Sequence, residues 1–496
     1  MERGFGPSPH KKAIQVKRSH STRSGPRMAH QMKLALVFSS VCVGLLSGCA
    51  DVHVPEYRHP EVPAKSTWSQ PPSGTVSATE AISPQWWSQF DDPYLDSLVA
   101  KAIAGNIDLK VLAARIGVAN AQIAEVRAGA QPSVDIAAGA SLQKTTGQQF
   151  SKQYNAGTQV IWDLDVWGQV EKGAQGQAAE FHATEADWRA GYLQIVADVS
   201  TTYFQILQLD EQIDQQQGAL RKNERILAID ETMRSNGLMS DTDVLRQRAE
   251  NNRLAKDLLE LRRVHDVTEN ALATLLGAPA GEFKVQPDRL QNRVHVPTVP
   301  AGLPLDLLAR RPDVVAAEFR VLEAHDLMGQ ARLAQLPSVS LTGQGGTASF
   351  ALSDLFKAFT FGFMPTINLP VLNPGIRAHV KTTEAQIKVA EESYRRTVIA
   401  AFEEVEDALV NLEAHRQEKE KLQMQVEQLQ VVSAATGTQL EAGVVSQLDV
   451  FESERSLLTA QLALLASHEQ VLSDTVTLYK ALGGGWAPMV VANARR

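Results

Sequence analysis

Cysteine is nearly missing from this chain of 496 residues: there are two, Cys42 and Cys49, and nothing after them can form a disulfide or a thiol metal site. Aromatic residues make up only 6%, which favours long helices over one large globular core. After the first fifty residues no apolar run approaches the ~20 residues of a membrane helix, so a membrane crossing would have to be made by β-strands. A basic excess is also lacking. The net charge is −8, and beyond residue 48 the chain holds 40 basic against 55 acidic residues, which argues against a nucleic-acid partner. Signs of catalysis are missing too. The histidines are scattered without ligand spacing, no Ser or Cys has a nucleophile context, and Gly483-Gly484-Gly485 follows a helix instead of opening one. No catalytic residue, metal ligand or cofactor is read from the sequence, and an enzyme is not expected.

At the N-terminus Lys33 precedes an apolar run, Leu34 to Leu46, too short to span a bilayer, and then Ser47-Gly48-Cys49. Small residues before the cysteine resemble a bacterial lipobox, which makes residues 1–48 a lipoprotein signal peptide and Cys49 the lipidated first residue of the mature chain; an ordinary signal peptide ending near a cysteine is the alternative. The stretch before Lys33 is long for an n-region, and Met28 and Met32 stand beside Met1 as starts. Residues 49–84, rich in Pro, Ser and His, read as an extended lipid-anchored leader without chemistry of its own.

The rest of the chain says everything twice. Gly237, Ser240, Asp243 and Val244 return as Gly443, Ser446, Asp449 and Val450, about 206 residues on; Leu276-Gly277 returns as Leu482-Gly483, and Pro132-Ser133-Val134 as Pro337-Ser338-Val339. This divides the chain into repeat 1 (residues 85–292), repeat 2 (293–486) and a C-terminal tail (487–496). The pattern is helical from about Pro93 to Ala130. Alternation follows at about 133–143 and, broken at Ile161, at about 153–165, and in the second copy at about 338–348 and 358–369. Val134, Ile136 and Leu142 alternate with polar or small residues, as do Phe359, Phe361, Phe363 and Ile367. Strands of this length cross a bilayer at a tilt, with lipid against the apolar face and water against the other. Two amphipathic hairpins on a soluble core would alternate in the same way.

Proline is absent from Gly168 to Ser235 and from Gly375 to Glu441, so each stretch can form one helix roughly 100 Å long. Val196, Val199, Tyr203, Ile206, Ile213, Leu220 and Leu227 follow a coiled-coil phase, as do Phe451, Leu458, Leu462, Leu465, Leu472, Val476 and Tyr479 in the last helix. Gly237 and Gly443 are placed to end the long helices, while Ser240 with Asp243 and Ser446 with Asp449 cap the helices that follow. Four strands leave open edges that lipid cannot satisfy. The predicted fold is therefore an α+β membrane protein in which a homotrimer shares a twelve-stranded β-barrel, four strands per chain, continued by a helical coiled-coil tube.

Over its mature length the chain resembles the TolC-like outer-membrane efflux proteins, in the lipoprotein branch of OprM and NodT type. The resemblance rests on Cys49, Trp86-Trp87 with Phe90-Asp91-Asp92-Pro93, Asn106 with Asp108-Leu109, and Trp162-Asp163-Leu164-Asp165 before Trp167-Gly168. It continues in Arg310-Arg311-Pro312-Asp313-Val314, Leu369-Pro370-Val371, and Tyr479 through Trp486. Trp167 departs from the family's usual Phe. The resemblance implies a lipid-anchored exit duct in the bacterial outer membrane that reaches into the periplasm. Its implied partners are a periplasmic adaptor and an inner-membrane pump of the resistance-nodulation-division type. It also implies a periplasmic gate at Leu448, Glu452 and Arg455; pairing of Glu452 with Arg455 inside one helix is the plainer role for those charges. A structural coiled-coil envelope lipoprotein without channel activity is the alternative function. Cargo is not legible.

Overall fold

The computed structural model describes residues 54–486, apart from 64, 66, 70–81, 145, 148, 287–288 and 301–306. Cys49, the signal segment and the tail at 487–496 lie outside the described residues.

A 3-10 turn over Trp86–Phe90 leads into α1 (Pro93–Gly105) and α2 (Ile107–Ala128), then β1 (Ser133–Gln143), β2 (Ser151–Leu164), α3 (Gln169–Ser235) and α4 (Asp241–Leu275). Single helical turns at Leu290–Arg293 and Leu307–Arg310 precede α5 (Pro312–Leu333), β3 (Ser338–Ser349), β4 (Thr360–Asn368), α6 (Pro374–Glu441) and α7 (Gln447–Ala481). The helical stretch read from Pro93 to Ala130 is thus two helices. Asn106 breaks it, because its side chain accepts the Leu109 N–H at 3.0 Å as a helix cap while donating to the Leu275 carbonyl at 2.9 Å, 169 residues away.

The four strands form one antiparallel sheet in the order β1-β2-β3-β4. Register puts the alternating apolar residues on a common face: Val134 opposes Val160, Val160 opposes Gly343, and Gly343 opposes Phe363. A sharp elbow joins sheet to helix. Asp165 accepts the N–H groups of Val170 and Glu171 at 3.1 and 3.0 Å, capping α3, and the Trp167 indole donates to the Pro337 carbonyl at 2.7 Å. A Phe could not make that last bond, so the departure at Trp167 adds a tie between the two hairpins' bases.

The long helices, 67 and 68 residues, fold back at Gly237 and Gly443 into antiparallel hairpins. Midway along them lies the main core. Trp86 stacks on Tyr479 at 5.1 Å, Phe90 packs against Phe204, and Asp92, wholly buried, accepts hydrogen bonds from the Tyr94 N–H, the Tyr203 hydroxyl (2.7 Å) and Arg293. The Arg-Arg-Pro-Asp-Val string closes on the Gly-rich end of α7: buried Arg311 donates to the Ala481 carbonyl at 3.0 Å and pairs with Asp313 and Glu404. A cation at the C-terminal end of a helix is electrostatically favourable.

The seams change character along their length. Val196, Val199, Tyr203 and Ile206 are buried as expected, but towards the tip Ile213, Leu220 and Leu227 are only half-buried, and Gln212, Gln216, Asn223 and Asp230 take the enclosed positions. These polar groups hydrogen-bond across the helices, although the buried Gln247 Oε1 has no partner among the described residues. Gln212 donates to Leu462 O (3.1 Å), Gln216 to Leu254 O (3.0 Å), Asn223 to Asn251, and the fully buried Gln247 to Asn223 (2.8 Å). The heptad reading followed the leucines and missed the amides because the amides also follow a three-four or seven spacing.

Candidate functional site

Two exposed surfaces, at opposite ends of the long helices, carry the residues singled out by the sequence. At one end the sheet presents opposite chemistries on its two faces. Asp135, Asn155, Gln159, Gln344 and Thr360 line a concavity of about 590 Å³. On the other face Ile136, Phe361, Phe363 and Ile367 stand exposed, Phe361 by 89%. Strands β1 and β4 form the two edges, each with one side unpaired among the described residues.

At the opposite end lie the hairpin tips. Gly237 and Gly443 adopt φ of +73° and +70°, the left-handed turn that lets the chain leave a helix. In each, the glycine N–H bonds three residues back and the next N–H five residues back, a Schellman closure. The following helices start under matching caps. Ser240 accepts the Asp243 N–H at 3.2 Å and donates its hydroxyl to the Asp243 carboxylate, which also holds Arg246. Asp449 accepts both the N–H and the O–H of Ser446, at 2.8 and 2.6 Å, and these bonds, the hydroxyl's first, hold its carboxyl below the ordinary range.

Leu448, Glu452 and Arg455 come together on one exposed face of α7. With Phe451 they line a pocket of about 310 Å³, closed on its far side by Arg246, Ala249, Glu250 and Arg253 of α4. Arg253 is already paired with Glu250 and Asp257. The alternative, a pair inside α7, does not form: the side chains of Glu452 and Arg455 make no hydrogen bond or ion pair with each other or with any other described residue, and their main-chain oxygens accept the hydroxyls of Ser456 and Thr459. Beside this face two links cross from hairpin to hairpin. Lys222 of α3 pairs with Glu454, and Gln447 reaches both oxygens of buried Asp230 at 3.3 and 3.4 Å. Burial, and to a lesser extent nearby Asp243, hold the Asp230 carboxyl above its ordinary range, while the Gln447 bond opposes them.

Two features have no counterpart in the sequence reading. The leader, read as featureless, is strapped along α5 and α6: Tyr57 and His59 meet Glu318, Arg395 donates to Glu61 O, Lys65 and Ser69 hold Glu406, and Trp68 packs edge-on against Phe402. Its Tyr, His and Trp spaced along a proline-rich run were the available signal. One histidine also sits in a cluster that the sequence reading passed over, for ligand-type atoms of His265, Asp266 and Glu269 lie within 4.8 Å of one another. The Lys284 ammonium already sits among them, 2.5 Å from Glu269, and Asp210 pairs with His265 at 3.1 Å, making this an ion-pair network between α3 and α4.

Residues 98–278 and 303–484 each match the family described as Outer membrane efflux protein. The toluene efflux pump outer membrane protein TtgC of Pseudomonas putida is 32% identical over 475 residues, 92% of this chain and 96% of that protein. The pyoverdine export outer membrane protein OpmQ of Pseudomonas putida is 29% identical over 84% of this chain and 92% of its own length. Among solved structures, the open state of the Neisseria gonorrhoeae MtrE outer membrane channel superposes with a TM-score of 0.75 at 27% identity, covering 87% of this chain and 98% of that one.

Proposed function

The chain belongs to the outer membrane efflux protein family, and from that premise we propose that it is the passive exit duct of a tripartite efflux system, three copies closing one twelve-stranded barrel over a helical tube. The observation that carries this reading is the sheet: a polar concave face, an aromatic convex face and two unpaired edges. Such edges are untenable in hydrocarbon unless another strand covers them. Tips that end in exposed Leu238 and Val444 suit docking of a periplasmic adaptor, which would couple the duct to an inner-membrane pump of the resistance-nodulation-division type. Relatives named for cargoes as unlike as toluene and pyoverdine support a duct that selects little. Acyl chains on Cys49 would anchor the leader strapped on α5 and α6.

Leu448, Glu452 and Arg455 form the resting gate in this reading, supported by their exposure and by charges without an ion pair among the described residues. Glu452 of one copy and Arg455 of the next supply charge-assisted bonds, individually weak and sensitive to salt. Planar-bilayer recording tests it. Arg455→Glu raises resting conductance, and adding Glu452→Arg largely restores closure. A single mutant indistinguishable from wild type would reduce these residues to a solvated helix face. No conductance from the unmodified protein would favour the envelope tether.

A further inference from the structure

The ten residues between β3 and β4 are unusually apolar for a connection, including Phe350, Leu352, Leu355, Phe356 and Phe359. Leu355 is buried, its carbonyl accepting the Thr347 hydroxyl, while the other four are exposed, Phe356 by 84%. Thr347 shares its sheet face with Gly345 and Gly343, the cross-strand partners of Phe361 and Phe363. The Phe359 ring lies over Gly345 on that same face, its Cζ 3.1 Å from where a Cβ would stand. The connection therefore folds towards the aromatic face of the sheet and away from the polar concavity.

Resting on the duct reading, we infer that residues 350–359 form an apolar shelf embedded in the outer leaflet, at the boundary of acyl chains and headgroups, and not a lid across the pore. Continuity with the lipid-facing residues Phe361 and Phe363 identifies lipid as the occupant. Strand length agrees. The nine residues of β4 rise about 30 Å along the strand and, tilted by about 40°, roughly 23 Å in height, slightly less than the ~25 Å apolar band of such barrels. Phe356 and Phe359 supply the apolar surface at the level where the strand runs out. The polar residues of the shelf are turned to each other, Lys357 pairing with Asp354 at 2.7 Å.

The test uses full-length chain in liposomes, bimane-labelled at Phe356→Cys or at Phe363→Cys within the band, with unsubstituted protein as the labelling blank. Lipids brominated near the headgroup should quench the Phe356→Cys label and aqueous iodide should not. Quenching by iodide at 356, with Phe363→Cys still quenched by brominated lipid, overturns the shelf and leaves the duct standing. Protection from both quenchers at 356 also overturns it, in favour of cover by a neighbouring copy. Iodide quenching at Phe363→Cys without lipid quenching defeats the duct reading itself. Leu352→Cys repeats the measurement should Phe356→Cys fail to insert.

Discussion

Gln447→Ala should loosen the tips without touching a residue of the proposed gate. Asp230 is 3% exposed, and among the described residues Gln447 is the only side chain that hydrogen-bonds to it. Stripping the donor from a buried carboxylate costs about 1–3 kcal/mol, and contacts of 3.3 and 3.4 Å place this pair towards the lower end. Through an opening equilibrium that range is roughly 5- to 150-fold in population. Asp230→Asn is the control, because it removes the costly charge yet keeps an oxygen for Gln447 and should leave the tips close to wild type. The sign with pH follows from the raised carboxyl. Stability from Asp230 is fully present below the ordinary carboxylate value and is lost as pH rises through the elevated one, so the tips of the wild type loosen with rising pH, the burial cost outweighing the Gln447 bond, while those of Asp230→Asn do not. Hydrogen exchange of peptides spanning 226–235 and 447–455 reads the opening directly. Unchanged exchange in Gln447→Ala, or equal loosening in both variants, would refute the reasoning.

Phe363→Arg, near the middle of β4, should cost about 2–4 kcal/mol and lower the yield of heat-resistant trimers on mild-detergent gels, while Thr360→Arg on the concave face should not. Gly237→Ala meets only the left-handed backbone penalty of about 1–2 kcal/mol; Gly277→Ala adds a Cβ that would lie 2.3 Å from the Gly105 carbonyl oxygen, so its denaturation midpoint should fall further. Burial and then neighbouring Glu180 push the Glu323 carboxyl up to about 7. Its contribution is complete below the ordinary carboxylate range and lost as pH rises through about 7, so melting temperature should decline over that interval, and Glu323→Gln should flatten the decline.

Much of this architecture can be read locally. Val134 to Leu142 alternate with period two because one side of β1 is apolar and the other is not, and α3 is uninterrupted where proline is absent. The tip glycines and their caps follow from turn stereochemistry that needs no tertiary partner. What escaped the sequence depends on distant residues. The break at Asn106 is fixed by Leu275, and the strap of the leader by Glu318 and Glu406, more than 250 residues on. The polar lower seam escaped because burial of Gln216 and Gln247 follows from partners on the facing helix, whereas composition alone assigns glutamine to the surface. At the proposed gate, the family resemblance picked out Leu448, Glu452 and Arg455, which lie on one face of α7, but did not indicate that α4 supplies the opposite wall.

A seam of leucines is degenerate: one helix can slide past another by a heptad, about 10 Å, and find equivalent contacts. The links between α3 and α7 remove that freedom. Gln212 with Leu462, Lys222 with Glu454, and Asp230 with Gln447 are successive rungs of a single antiparallel alignment, and a heptad slip would break all three together. They act as an index mark between the two hairpins, fixing how far each tip reaches from the sheet. Helices about 100 Å long can in this way end level with one another although the strands that anchor them lie at the far end.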